Sequence, residues 1–402
     1  MPSGAELPIG PVSRALLCCA RIHLDEASRQ ELRALVHAGF ELAALAGEAK
    51  RHGLTALLCR HMQDLASDAG PAEVLADLRA AAQRGAAASL ALAAELVAVL
   101  QELREAGVAA LAIKGPVSAA LCYGDFGVRS FSDLDLLVEP AEVGAATACL
   151  EARGYCSPFA LSPAWRARLL RSDSELLFRH ADGRRLVDLH WCLLPRGYTF
   201  TPGHEGVFAR RQMVRIGPSE VPTLGIEATL LFLLLHGMKH DWQSLGWLCD
   251  VAELLRRHPG LDWDAVLAWS ARRGPRRLID IGLALAHALL DAPVPARALL
   301  RGRADVAVAR IADGLARRLF AAPTLNRSWL PRSIFSYQYL LAMETPGDRL
   351  RFLYDVVLRP TPLEWRAVPL PAVLAPLYYL VRPARLLWKH RRPRRAQGIR
   401  SR

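Results

Sequence analysis

Arg129-Ser130-Phe131-Ser132-Asp133-Leu134-Asp135-Leu136-Leu137-Val138 sets two carboxylates two residues apart in a run of aliphatic side chains. Such alternation belongs to a strand, where successive side chains leave on opposite faces. Asp133 and Asp135 then share one face while Leu134 and Leu136 enter a core. Working outward, the apolar run 108–113, bounded by Gly107 and Lys114-Gly115, reads as a buried strand. Residues 141–153 have helical spacing closed by Gly154, and 175–191 folds into a hairpin about Asp182-Gly183. In that hairpin Asp188 and His190 share a face and Leu189 takes the other. Strand, helix, strand, helix and hairpin in this order make an α+β core, expected at 107–220.

Two acids so close raise each other's pKa and are comfortable with a divalent cation between them. Magnesium is the natural occupant, since it accepts a few carboxylates together with water and phosphate oxygens. Asp188 adds a third strand acid, and three acids in this order suggest a two-metal site for phosphoryl chemistry. One Mg2+ would activate an attacking hydroxyl, the other would clamp a triphosphate, and Asp188 is the candidate activator of the nucleophile.

The flanks read as helix. Leu32, Leu35 and Val36 recur at helical spacing before Gly39, a second periodic stretch covers 42–65, and an Ala/Leu-rich run continues from Pro71 to Glu105 as one long helix or two joined near Gly85. Residues 1–106 are thus expected to form an N-terminal helical module. Beyond Pro222, periodic stretches at 230–240, 247–256, 263–272 and 277–290 predict a C-terminal helical domain over 221–381.

The net charge of +12 is concentrated at the end of the chain, where Arg and Lys residues from 382 onward supply nine positive charges and no acid, leaving about +3 for the rest. This basic tail, 382–402, suits peripheral contact with an anionic membrane or with RNA. The eight cysteines form no C-x-x-C pair, and the first thirty residues lack the pattern of an export signal. A cytoplasmic location follows as the expectation, with the tail touching the inner membrane face. The apolar stretch 367–381 is too short to span a bilayer and holds three prolines.

Leu111-Ala-Ile-Lys-Gly115, then Tyr123-Gly-Asp125, then 129–138, followed by the Val-Asp-Leu-His-Trp strand at 187–191 and the His236, His240, Trp247, Asp250 region, resemble the uncharacterised bacterial nucleotidyltransferase family of the DNA polymerase β-like superfamily. The resemblance covers roughly residues 30–290. It implies a small mixed sheet with helices, embraced by helical extensions, and transfer of a nucleoside monophosphate from an NTP, by default ATP, to a protein, peptide, sugar or metabolite acceptor. It also implies nucleotide contacts from Lys114, Gly115, Ser118, Arg129 and Ser132. One departure stands out: the superfamily's usual Gly-Ser step is here Gly115-Pro116, and proline offers neither an N–H nor a hydroxyl. Lys114 as a point charge and Ser118 as a hydroxyl are the candidate substitutes.

Other polar residues have plainer readings. Arg129 either meets phosphate or pairs with Asp125 or Asp133. His190 beside Trp191 reads as a core histidine. His236 and His240 have zinc-helix spacing without the glutamate or a third ligand, so they are expected to line the cleft with Lys239 and Asp241. Trp247 and Asp250 read as packing and capping residues. Two alternative readings remain open: a degenerate nucleotide-binding adaptor, and an RNA-directed nucleotidyltransferase recruited by the tail.

Overall fold

A computed structural model describes residues 9–39, 41–65, 72–157, 167, 169–170, 174–194, 204–271, 275–321 and 337–391. Seven strands form one mixed sheet: β1 (Ala110–Ala112), β2 (Leu134–Val138), β3 (Tyr155–Cys156), β4 (Glu175–His180), β5 (Leu186–His190), β6 (Gln212–Ile216) and β7 (Ser219–Thr223). Their spatial order is β3-β4-β5-β2-β1-β7-β6. β2 lies antiparallel to β1 and parallel to β5, while β4 and β5 pair antiparallel about the Asp182-Gly183 turn. The α+β architecture of the sequence reading is therefore present.

The alternation of the strands sorts the sheet into two apolar layers. Leu134, Leu136, Val138, Val187, Leu189, Leu176 and Phe178 face one way into a cluster that includes Leu92, Leu96, Val99 and Leu103 of the helix Ala72–Glu105. Those four recur at 4, 3 and 4 residues, which is one stripe of an α-helix. Leu111, Ile113 and Leu137 face the other way, against Val207 and against Phe232 of the helix Ile226–Lys239. The acids belong to this second face.

Ala72–Glu105 is a single 34-residue helix. Gly85 does not break it; a Cβ there would come within 2.9 Å of Ser130 Oγ, so the glycine lets the loop before β2 lie on the helix. It is also the one described helix long and apolar enough to cross a membrane, and its apolar stripe is spent on the sheet. The stretch 42–65, in contrast, is two helices, Leu42–Arg51 and Thr55–Asp64. Gly53 at φ +72° ends the first, with the Leu54 N–H returning to the Ala49 carbonyl.

Helices from both ends of the sequence share one core. Leu16, Leu32, Leu45 and Leu58 stand in the same cluster as Leu234, Leu248, Ile281 and Ile311. The sheet extends through β7 to Thr223, whose hydroxyl donates to the Ala112 carbonyl at 2.7 Å. The start of the basic segment is ordered as well, in the helix Tyr378–Arg391, which tolerates Pro383 internally.

Candidate active site

Strand pairing brings the acids together. Asp135 on β2 stands opposite Asp188 on parallel β5, so both carboxylates leave the same face on neighbouring strands. Asp133 precedes the first residue of β2 and, two residues before Asp135, points the same way. Leu134, Leu136, Val187 and Leu189, which alternate with them, are fully buried on the far side.

Asp135 is the enclosed centre. Its Oδ1 accepts from Lys114 Nζ at 2.9 Å and lies 3.1 Å from His190 Nε2, while Oδ2 is buried with no hydrogen-bond partner. Burial opposes ionisation of this carboxyl, but Lys114 and His190 outweigh it and hold the pKa well below the usual range. The same pairing raises Lys114 against the opposing effect of burial. Burial likewise opposes protonation of His190, yet Asp135 and Glu175 pull its pKa upward. Asp133 and Asp188 go the other way: burial first, then repulsion from Asp135, raises both, Asp188 to about 6.

The bend after β1 nests against this group. Gly115 has φ +65° and ψ −119°, and a Cβ on it would come within 3.2 Å of the Asp133 carbonyl oxygen. The Ile113 N–H donates to the Asp135 carbonyl at 3.0 Å, which locks the bend to β2. Pro116 opens a short helical turn, and Ser118 within it is 1% exposed, its hydroxyl buried without a hydrogen-bond partner. Ser132 is exposed in the loop before β2.

A wall of helix faces the strands. His236 and His240 have ring centroids 4.7 Å apart, and Trp247 of the helix Leu245–Arg257 sits 5.6 and 5.3 Å from them. Burial, then the charges of Lys114 and Lys239, keep both imidazoles neutral, His240 at about 4 and His236 also well below its ordinary value. Lys239 is the leading charge that holds the Glu175 carboxyl below its ordinary pKa in spite of burial. The helix that carries these side chains therefore looks onto the acidic strands.

Arg129 takes a partner other than those its neighbours suggested. Its Nε and Nη2 donate to Asp250 at 2.9 and 2.8 Å, and Tyr123 donates to the same carboxylate at 2.7 Å. Asp125 instead pairs with Arg60 at 2.6 Å. The Arg129–Asp250 fork thus pins the loop before β2 to the helix Leu245–Arg257, and Asp250 is neither a helix cap nor simple packing.

With this geometry in view, residues 38–291 match the family described as uncharacterised nucleotidyltransferase. The chain belongs to that family. Comparison with curated proteins and with solved structures returns no match. The nucleotidyltransferase match spans the sheet, both walls of the cleft and Asp250, and ends before the segment 346–391.

At the candidate site, Glu175 is absent from the sequence reading and Asp250 takes a role that reading did not give it. Glu175 stands opposite His190, its Oε2 3.2 Å from His190 Nδ1. Folding the hairpin symmetrically about Asp182-Gly183 pairs 175 with 190, so the turn itself held the signal. Asp250 as the partner of Arg129 had none, because 121 residues separate them. For a divalent cation the donor chemistry fits: three carboxylates share a face, two are pushed up by burial and mutual repulsion, and Asp135 Oδ2 is buried without a partner. Among the described residues, no group of three or more His, Cys, Asp or Glu side chains is drawn together as a ready ligand set.

Proposed function

We propose that this nucleotidyltransferase-family chain moves a nucleoside monophosphate from an NTP, with ATP the default donor, to a hydroxyl or phosphate of a protein, peptide, sugar or metabolite. The observation that carries the reading is the register of Asp135 against Asp188 with Asp133 at the mouth of β2, beside Lys114 at 2.9 Å. Asp133, Asp135 and Asp188 would hold Mg2+ ions, two in the full arrangement, which when bound supply positive charge for the triphosphate and the attacking oxygen.

The protein's own groups account for the remainder. Lys114 is held protonated by Asp135 and offers a point charge to phosphate where Pro116 removes a backbone donor. The acceptor oxygen bonds to the α-phosphorus as the bond from that phosphorus to the bridging oxygen breaks, and pyrophosphate leaves with the electron pair. Asp188, raised to about 6 by burial, is the group placed to take the acceptor's proton. Lys239, His236, His240 and Trp247 form the opposite wall, where the acceptor or base would lie.

A nucleotide-binding adaptor without turnover is the second reading. It is favoured by the engagement of Asp135 Oδ1 by Lys114 and His190 and by the burial of Ser118. Incubation with each labelled NTP, Mg2+ and a host lysate separates the two. The enzyme reading expects a labelled acceptor and pyrophosphate, with at least about a hundredfold loss on Asp133→Ala while nucleotide binding persists. Nucleotide binding with no pyrophosphate under any donor would leave only the adaptor. Labelling confined to RNA, and lost when 392–402 are removed, would indicate an RNA acceptor.

A further inference from the structure

Outside the family match, residues 346–391 form a segment whose surface is unlike that of the rest of the chain. Of the eighteen exposed large apolar side chains among the described residues, thirteen fall between Leu350 and Trp388. Scattered exposed leucines need no explanation, but a contiguous set marks a contact surface. The set continues from one element to the next where Tyr354 of the turn Tyr354–Leu358 lies beside Tyr379, their rings tilted and their centroids 6.2 Å apart.

The helix Tyr378–Arg391 carries apolar side chains on its outer face as well as on its inner one. Tyr378, Arg382 and Leu386, at i, i+4 and i+8, are buried, whereas Leu380, Leu387 and Trp388, at i, i+7 and i+8, are exposed with Ala384 between them. Within the segment, the buried Glu364 carboxylate accepts from Arg382 Nη1 at 3.1 Å and pairs with Arg385, and Arg382 also donates to the Val356 carbonyl at 2.7 Å. A buried ion pair sits among the inner apolar side chains, and a second apolar stripe faces outward, which a helix facing only water does not carry. Trp365 and Tyr378 anchor the segment to the apolar cluster under the sheet that also holds Leu134 and Val187, on the side away from the acids.

The surrounding charge selects the occupant. After Glu364 the sequence holds ten Lys and Arg residues and no Asp or Glu, and eight remain besides Arg382 and Arg385, which pair with Glu364. A second copy of the chain would bring two such sets together, and RNA offers no partner for the exposed leucines of the stripe. The chain's own last eleven residues, RPRRAQGIRSR, have five arginines and one large aliphatic side chain, so their composition offers charge and little apolar surface to set against the stripe. An anionic lipid surface rewards both halves: aliphatic and aromatic side chains enter the headgroup boundary while Lys and Arg meet negative lipid. We propose that residues 346–391 dock the protein peripherally on an anionic bilayer through the stripe that includes Leu380 and Leu387, with the basic sequence that follows adding charge, leaving the acidic face of the sheet open. This proposal does not depend on the reading of the active site.

Flotation of the full-length chain with vesicles tests it, using phosphatidylcholine alone and phosphatidylcholine with phosphatidylglycerol. The chain is expected to float with the anionic vesicles and to be released by salt. Leu380→Glu with Leu387→Glu is expected to lower partitioning about tenfold or more with unchanged circular dichroism, because both side chains point outward. Should that variant unfold, Arg394→Gln with Arg395→Gln serves, with a weaker and less salt-sensitive association expected. Absence of flotation, equal flotation with neutral vesicles, or flotation untouched by either variant would overturn the proposal. So would self-association or RNA retention that the Leu380 and Leu387 changes abolish in protein that does not float.

Discussion

Truncating Asp250 to Ala would leave the Arg129 guanidinium, whose side chain is only 20% exposed, without the carboxylate that accepts its Nε and Nη2 donors. Removing one member of an enclosed ion pair costs about 3–5 kcal/mol, far more than the pair adds over an apolar replacement. Urea unfolding of Asp250→Ala is expected to show a loss of that size, and Arg129→Met with Asp250→Leu to recover much of it. The double variant should still transfer nucleotide poorly, since Arg129 Nη1 also holds the Ser130 carbonyl at 2.8 Å and fixes the approach to Asp133. A double variant with full activity would show that the fork serves stability alone. Asp133, Asp135 and Asp188 were legible in the sequence because strand alternation is local and tells which side chains share a face. Asp250 was not, because its pairing is made by packing of a distant helix, and an arginine in sequence does not reveal which acid it will meet.

Among the elements, legibility follows the strength of the local pattern. β1, β2 and the β4–β5 hairpin have clear apolar runs or a turn dipeptide, and each lies where the sequence put it. The β6–β7 hairpin was missed: Pro222 interrupts its alternation, and β7 meets β1 at a single register pair, Ala112 with Thr223. What joins the long helix Ala72–Glu105 to the strands is also invisible locally. Glu95 accepts from Arg153 at 2.8 and 2.9 Å, from Arg185 at 2.6 Å and from Tyr155 at 2.8 Å, tying the helix to β3 and to the start of β5. Hydrogen bonds from Arg153 lead the effects that lower its pKa from 4.5 to about 2. A depressed carboxylate contributes stability that is complete above the unfolded value near 4.5 and is lost as pH falls through about 2. The linkage is on the order of 3 kcal/mol at most. Denaturant titrations at pH 6 and pH 3 should show a smaller acid loss for Glu95→Gln than for the parent, and equal losses would remove Glu95 from the acid response.

At the scale of the molecule, helices from both ends of the chain meet in one core, and His52 is one of the points where they are hydrogen-bonded. Its Nδ1 accepts the Leu245 N–H at 3.0 Å, and its carbonyl accepts from Ser244 Oγ at 2.9 Å and the Gly246 N–H at 3.1 Å. A Cβ on Gly246 would lie 2.6 Å from that carbonyl oxygen, so glycine is required for the approach. The imidazole is fully buried, and burial leads the causes that push its pKa down to about 4. The unfolded chain takes the proton near 6.5 and the folded one does not until about 4, so acidification across this window favours unfolding. The stability His52 contributes is therefore complete above about 6.5 and falls as pH drops toward 4, by on the order of 3 kcal/mol at most. His61, whose Nε2 lies 2.7 Å from the Arg21 carbonyl, is shifted in the same direction, again chiefly by burial. Because the N-terminal helices bury the same leucines as the helices after the sheet, the loss should be global. Fluorescence of the tryptophans, which begin only at Trp165, and amide exchange of Leu42–Arg51 are expected to report one common midpoint that rises between pH 4 and 6.5, with a shallower rise for His52→Gln. Two separated midpoints, with Leu42–Arg51 opening first, would mean that the N-terminal helices melt as a unit of their own and that the shared core does not couple them to the cleft.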